Sequence, residues 1–369
     1  MTATIEELLG IQPVLAKPSR NKAAVTFSFL FFSDVRKDIA DAEKYAFMRD
    51  ITLFADREGF EAVYIPERHF HEFGSIYANS AIIAANLIPQ TSRIRFRTAG
   101  ISLPLHHPAE VVEWWAMNDI LSGGRVDLGF GSGWNKPDFI LAPEHYEKRR
   151  EICSANIPVV QKLWRGETVV FAGPGGEPTP ITVHPRPLQK ELSVWLLVTQ
   201  NEEGFIHAGK QGYNIFTMLY GNNLEAMGKK ITLYRQARAS AGLDPKAGVV
   251  TLMLHTLLLQ DSAAVQAAVE QPFKQYIKSS LDAHVQAAVA EKGGVELNDA
   301  EKAKMLEYAY QRYFKTCAIF GTVDDGRQIV DQAIAVGVDD IACLVDFGVD
   351  YPIVHESLSY LRKLVAYYL

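Results

Sequence analysis

The sequence predicts a closed (β/α)8 TIM barrel, on three observations. Eight short runs rich in apolar and β-branched residues recur along the chain. Helical patterns separate most of them, and strand–helix alternation means a parallel sheet. No G-x-G-x-x-G follows the first run and no switch point is evident, which favours the barrel over its rival, a doubly wound open sheet.

The first run, Ala23–Phe32 (AAVTFSFLFF), is continuously apolar, as expected of a strand buried on both faces. The others are Ala62–Ile65, Ile94–Ala99, Val126–Phe130, Val194–Val198, Asn214–Met218, Val249–Leu258 and Ile341–Val345. Between them, Lys37–Glu58 carries apolar residues at three- and four-residue spacing and stops at Gly59. Asn79–Leu87 stops before Pro89, and Ala109–Leu121 starts after Pro108 and ends at Gly123-Gly124. Helices over Glu202–Lys210, Leu224–Ala241 and Arg327–Val336 continue the alternation.

Two insertions interrupt the repeat. One, about residues 131–187, follows strand four; it holds a helix over Arg149–Trp164 and a Pro/Gly-rich segment, AGPGGEPTPITVHPRP, read as a loop or hairpin. The other, about residues 260–320, follows strand seven and is largely helical, broken at Gly293-Gly294. In a barrel such excursions sit on the C-terminal face, where lids grow; a dimer arm or simple bulk is the alternative. Residues 1–22, with a short helix over Ile5–Leu9, form a leader, and 23–369 form a single domain.

Composition excludes several classes. A chain of 369 residues with 48% hydrophobic content can bury a large core. Net charge is −6, and no Lys/Arg stripe or basic tail marks a nucleic-acid binder. The basic pairs, such as Lys229-Lys230, read as solvated helix faces. Cys153, Cys317 and Cys343 are far apart, without C-x-x-C spacing, which fits a reducing, cytoplasmic setting and neither a disulfide framework nor a zinc site. The start, MTATIEELLG, lacks the basic and apolar regions of a signal peptide. The longest apolar stretch, VVTLMLHTLLL, is too short to span a bilayer.

A barrel carries its active site at the C-terminal ends of its strands. PERHFHEFG (Pro66–Gly74) follows strand two, TAGISLPLHHP strand three, GSGWN (Gly131–Asn135) strand four and TQNEEGF (Thr199–Phe205) strand five. His255 lies in strand seven, and Asp346 follows strand eight; each either faces the pocket or is satisfied within the core. Polar, aromatic and glycine residues thus converge on one face. His69, His71, His106 and His107 complete no ligand spacing with a carboxylate, so no metal is expected. Gly129, Gly131 and Gly133 have the wrong spacing for a dinucleotide fingerprint; Ser132 and Asn135 offer polar groups and Trp134 a wall. Gln200, Asn201 and the amides of Glu203 and Gly204 open a helix, whose N-terminus suits phosphate. Acids there are also ordinary dipole complements.

The stretches FSFLFFS, YIPERHFHEFG, TAGISLPLHHP, LSGGRVDLGFGSGWN, LAPEHYEKRREI, KLWRGE, VTLMLHT and GVDDIACLVDFG together resemble the bacterial luciferase-like flavin monooxygenases. The resemblance is closest to the FMN-dependent group associated with polyketide and nonribosomal-peptide biosynthesis, and runs in register from about Ala23 to Val349. It implies a barrel that dimerises, takes FMNH2 from a separate flavin reductase, and reacts it with O2 to a C4a-(hydro)peroxyflavin. The oxidised substrate would be a small molecule or an acyl group held on a carrier protein. The resemblance also implies that the flavin ring lies on Thr98, Ala99 and Gly100, at a bulge that in the family is often a non-proline cis peptide. The phosphate would sit at Gln200–Gly204, where Gly204 replaces the usual hydroxyl. Glu67, Arg68 and His69 would form the catalytic network, walled by Phe70 and Phe73, with His255 and Asp346 in the substrate pocket.

One departure matters. Luciferases proper read EHHF here, and the first histidine is their proton-transfer residue; this chain has Arg68 at that position. Arginine does not exchange protons near neutral pH, but it pairs with anions. Light emission is therefore not expected, and His69 takes the acid/base role with Arg68 as electrostatic partner. Two rival readings remain: an F420-dependent oxidoreductase of the same superfamily, and a non-catalytic flavin-binding or partner subunit.

Overall fold

The computed structural model describes residues 25–32, 36–74, 76–219, 222–292 and 299–369, and leaves aside the side chains of 280–300 and 302. The leader over 1–22, the start of the Ala23 run and the Gly293-Gly294 break lie outside the described residues.

The apolar runs become strands because a chain apolar on both faces is stable only with both faces covered. In order they are β1 (Thr26–Leu30), β2 (Ala62–Ile65), β3 (Arg95–Thr98), β4 (Ile101–Ser102), β5 (Val126–Gly131), β6 (Val169–Ala172), β7 (Pro178–Ile181), β8 (Val194–Leu197), β9 (Asn214–Met218), β10 (Val250–Leu258), β11 (Ala318–Gly321) and β12 (Asp340–Leu344). Eight of them close a parallel barrel in the order β1-β2-β3-β5-β8-β9-β10-β12, with β12 pairing back to β1. This is the (β/α)8 barrel that the sequence predicts.

Helices α1 (Asp41–Glu58), α2 (Ser80–Leu87), α3 (Pro108–Ser122), α5 (Glu202–Gln211), α6 (Leu224–Ser240), α9 (Val323–Ala335) and α10 (Tyr351–Ala366) cover the outside. The insertions contribute α4 (Arg149–Trp164), α7 (Ser262–Lys292) and α8 (Asp299–Thr316). Local chemistry sets several ends. Asn79 Oδ1 caps α2, accepting from the amides of Ala81 and Ile82. A capping box between Thr322 and Asp325 starts α9 four residues before the predicted Arg327. The Pro/Gly-rich segment forms the antiparallel β6–β7 hairpin. β11, which the sequence reading missed, pairs with the outer half of β10, His255–Leu258. Helix α10 was also not predicted. Among the described residues, no helix is long and apolar enough to cross a membrane.

The barrel interior is less apolar than the runs suggest. Near the N-terminal ends of the strands, the Asp127 carboxylate accepts from Arg95 Nε (2.7 Å) and Arg97 Nε (2.9 Å). Asp340 accepts from Thr26 (2.8 Å), Ser28 (3.0 Å), Tyr64 (3.2 Å) and Thr251 (3.1 Å), with Arg97 Nη1 at 3.7 Å. The Arg97 guanidinium stacks 4.4 Å from the Trp195 ring centroid. Arg97, Asp127 and Asp340 are buried, and Arg95 is half-buried. Burial pushes the Asp127 carboxyl up, but two guanidiniums outweigh it and hold the pKa near about 2. A network at this end of a barrel serves stability, which leaves the opposite face for function.

Candidate active site

At the C-terminal face, β2 delivers Glu67. Its side chain is only 5% exposed, and one oxygen, Oε1, accepts from His69 Nε2 (3.0 Å) and from His106 Nε2 (2.8 Å). His106 arrives from another element. It ends the short 3-10 turn Leu103–Leu105 after β4, and the next residue, His107, caps α3. Burial alone would raise the Glu67 carboxyl; the two imidazole contacts outweigh it and hold the group below the usual carboxylate range. Burial likewise depresses His106, and the Glu67 carboxylate more than reverses this, so its pKa is raised. The result is an anionic oxygen clamped between two N–H donors. A cavity of about one water's size lies behind Glu67, lined by Asn79, Ser80, Ala81, Ile101, Trp114 and Trp115.

The expectation of no metal rested on sequence spacing. In space, Glu67, His69 and His106 do place three ligand-type atoms within 4.8 Å of one another. The contacts of 2.8 and 3.0 Å from two imidazoles to one shared oxygen lie within hydrogen-bond range. His71 is turned to its own loop, where Nδ1 accepts from the Phe73 amide.

Beside this unit, the Arg68 guanidinium sits among three rings: Phe32 at 4.7 Å, Phe73 at 5.5 Å and Trp134 at 5.6 Å. Gly74, at φ 77°, lets the loop fold back on it; a Cβ there would meet Arg68 Cγ at 2.8 Å. Phe73 is buried, as a wall residue should be. Phe70 departs from expectation. It is 61% exposed and holds a strained φ of 54°, so it does not wall the pocket in this structure.

The bulge expected after β3 is present between Thr98 and Ile101, but it is not cis; among the described residues the one cis bond is His184–Pro185. Thr98 does not offer its hydroxyl to a ligand. Oγ1 donates to Gly129 O (2.8 Å) and accepts from Gly129 N (2.7 Å), stitching β3 to β5. A Cβ at Gly129 would come 2.3 Å from Thr98 O, so glycine is needed there. Ala99 and Gly100 are buried, and the Leu197 side chain packs over Gly100, where a Cβ would meet Leu197 Cδ2 at 2.4 Å. Ser132 is half-buried. Asn135 Nδ2 donates to Asp138 Oδ1 at 2.6 Å, a contact within its own turn.

The phosphate loop also needs correcting. Asn201 caps α5 itself: Oδ1 accepts from the Glu203 amide (3.0 Å), and its carbonyl accepts from the Gly204 amide (3.1 Å). Both amides assigned to phosphate are therefore engaged, and Gln200, Asn201 and Glu203 are exposed. Sequence reasoning missed the cation beside this loop. Lys230 on α6 is buried rather than solvated, and Nζ donates to Thr199 O (3.2 Å) and Asn222 Oδ1 (3.3 Å). Among the described residues no carboxylate pairs with it. Its neighbour Lys229 is the exposed member, bridged to Glu225.

Asp346 is a clamp and not a pocket residue. Its carboxylate accepts from the Phe32 amide at 2.7 and 2.8 Å and from Tyr77 Oη at 3.1 Å, tying the end of β12 to that of β1. His255 is 4% exposed, and among the described residues neither ring nitrogen has a hydrogen-bond partner. Four rings box it in: Phe273 (4.7 Å) and Tyr276 (5.0 Å) from α7, Tyr313 (5.7 Å) from α8, and Phe347 (5.5 Å). Tyr276 also meets Phe73 at 5.4 Å, so the second insertion lays one aromatic layer from His255 to the Arg68 cage.

Burial pushes the His255 pKa down to about 3, so the ring is neutral at neutral pH. The unfolded chain takes up this proton near pH 6.5, and the folded protein only near pH 3. Stability therefore falls as pH drops through that window, by up to about 1.4 kcal/mol per unit. His255→Leu removes both the titration and two unsatisfied polar atoms. We expect it to raise the urea midpoint and to flatten its decline between pH 7 and pH 5; an unchanged slope would show that His255 is solvated.

Comparison with known proteins agrees with this architecture. A family model described as luciferase-like monooxygenase matches residues 25–340. The oxygenase component of flavin-dependent trigonelline monooxygenase from Acinetobacter baylyi is 22% identical over 347 residues, covering 90% of this chain and 91% of that protein. Monooxygenase RslO1 from Streptomyces bottropensis superposes with a TM-score of 0.78 at 22% identity, over 94% of this chain and 100% of that one. The oxygenating constituent of 3,6-diketocamphane monooxygenase from Pseudomonas putida, a type II Baeyer–Villiger enzyme in complex with FMN, superposes at 0.74 and 15% identity, over 94% and 99%. A shared barrel, a match spanning most of the chain and a polar site at the C-terminal face agree: the chain belongs to the luciferase-like monooxygenases.

Proposed function

We propose that this protein is the oxygenase of a two-component, FMNH2-dependent monooxygenase that oxidises a small or carrier-bound substrate in natural-product biosynthesis. The observation that carries this reading is the Glu67 oxygen shared by His69 and His106, set beside an aromatic cage at the barrel mouth. The residues present fit the cofactor. The small side chains at Ala99-Gly100 would let a flat ring lie on the backbone once the Leu197 side chain moves aside, and Lys230 supplies a cation for a phosphate near Thr199. When bound, reduced FMN supplies the electrons for oxygen activation. Glu67 fixes the Nε2 proton of His69, leaving Nδ1 to give or take a proton at the mouth. Phe73, Tyr276 and Phe273 exclude water.

The A. baylyi relative is named as an oxygenase component, which supports a separate flavin reductase here. Exposed apolar side chains on the neighbouring α2 and α3, Ile82 (69%), Met117 and Leu121, support a homodimer; sedimentation as a monomer would contradict the dimer. With Gly204 in place of the usual phosphate-loop hydroxyl, F420 is the second reading. Anaerobic titration separates the two. We expect photoreduced FMN to bind and reduced F420 not to, and Lys230→Met to weaken FMN about tenfold while leaving riboflavin unchanged, the order of one charge-assisted hydrogen bond. Binding of F420 alone would overturn the proposal.

A further inference from the structure

Arg68 differs from the other withdrawn arginines of the molecule. Arg95, Arg97 and Arg235 each bond a carboxylate, and Arg125 bonds the carbonyls of Ile94 and Thr91. The Arg68 guanidinium has neither an ion pair nor a hydrogen bond among the described residues; its contacts are the faces of Phe32, Phe73 and Trp134. Asp138 acts on Arg68 through space without bonding it, and both Asp138 and the adjoining Glu67 are occupied. Glu67 is held by His69 and His106, and Asp138 accepts from Asn135 at 2.6 Å.

A half-buried guanidinium with no directly bonded counter-charge is under-satisfied, and ring faces return only part of that cost. Five N–H donors in a planar fork suit one kind of ligand, an oxyanion bound in bidentate fashion. The rings also limit what the anion is attached to, since the surroundings of the guanidinium are aromatic, with Trp134 the exposed member. Arg68 directly precedes His69 in the chain, so an anion docked there lies beside the acid/base unit.

We infer that Arg68 is a specificity-determining residue that receives an oxyanion of the substrate, a carboxylate or phosphate ester borne on an apolar or aromatic body. This rests on the monooxygenase reading above and narrows it to acidic substrates. The substrate's oxyanion must be told apart from the phosphate of the flavin, which has its own cation in Lys230.

The test is calorimetric, on the full chain, with matched probes: benzoate, phenylacetate and octanoate, each against its neutral amide, together with phenyl phosphate. At least one anion should bind tenfold or more tightly than its neutral counterpart. Arg68→Met should bring that ratio to within about twofold, and Arg68→Lys, which keeps the charge but not the fork, should retain part of it. The FMN-to-riboflavin affinity ratio of Arg68→Met should match that of the wild type. Equal binding of anions and amides by the wild type, or an undiminished preference in a folded Arg68→Met, would overturn the inference. Collapse of the FMN-to-riboflavin ratio in Arg68→Met would reassign Arg68 to the flavin phosphate and overturn it too. Failure of the wild type to bind reduced FMN would sink the monooxygenase reading instead, and is scored in a separate titration.

Discussion

His69→Ala is expected to lower turnover by about 10² to 10³-fold, with little change in the affinity for reduced FMN. The magnitude is that of a positioned acid/base group. Glu67→Gln should cost a similar factor although it preserves shape. A glutamine oxygen can still accept from both imidazoles, as Oε1 does, but it removes the negative charge that holds them and raises His106. The two changes combined should cost little more than either alone, because groups acting as one unit are not additive. His106→Ala should cost less, since Glu67 and His69 remain paired. The measurement is steady-state oxidation with a supplied flavin reductase, resolved into kcat and KM. Turnover unaffected by His69→Ala would remove the acid/base assignment. Full additivity of the pair would separate Glu67 from His69.

Arg97→Met is expected to destabilise the barrel by about 3–5 kcal/mol, the cost of leaving buried charge without its partner. Asp127 keeps Arg95, but Asp340 loses the cation that faces it, and its remaining partners are the hydroxyls of Thr26, Ser28, Tyr64 and Thr251. The network also sets an acid limit. Asp127 titrates near about 2 when folded and near 3.8 when unfolded, so its contribution is complete above pH 4 and is lost as pH falls toward 2. Urea unfolding at pH 7 checks the first statement, and the same series between pH 4 and pH 2 the second. A loss under about 1 kcal/mol in Arg97→Met would mean that water reaches the Asp340 carboxylate.

The barrel was legible because its strands are continuous apolar runs, a signal that survives without tertiary information. β11, AIFG, was not, since four residues at the end of a helical insertion carry no period of their own. The charged network was hidden for another reason. Arg97, Asp127 and Asp340 sit inside three strands that otherwise read as buried, and pairing between strands cannot be seen along one. In the site, Glu67 and His69 were visible as neighbours. His106 lies 39 positions beyond Glu67 and joins it only through the bulge after β3. Lys230 read as a solvated face because helix periodicity alone does not distinguish it from Lys229. Asp346 carried the opposite error: a strand-end acid looked functional, but it accepts the backbone amide of Phe32.

The most direct test of the account is anaerobic stopped flow. The protein, loaded with photoreduced FMN, is mixed with oxygenated buffer while the near-ultraviolet and visible flavin bands are followed. The account predicts an oxygen-dependent spectrum unlike that of reduced or oxidised FMN, formed in proportion to oxygen and slow to decay. Oxidation of bound FMN in a single step at the rate of the free cofactor, with release of hydrogen peroxide, would contradict it.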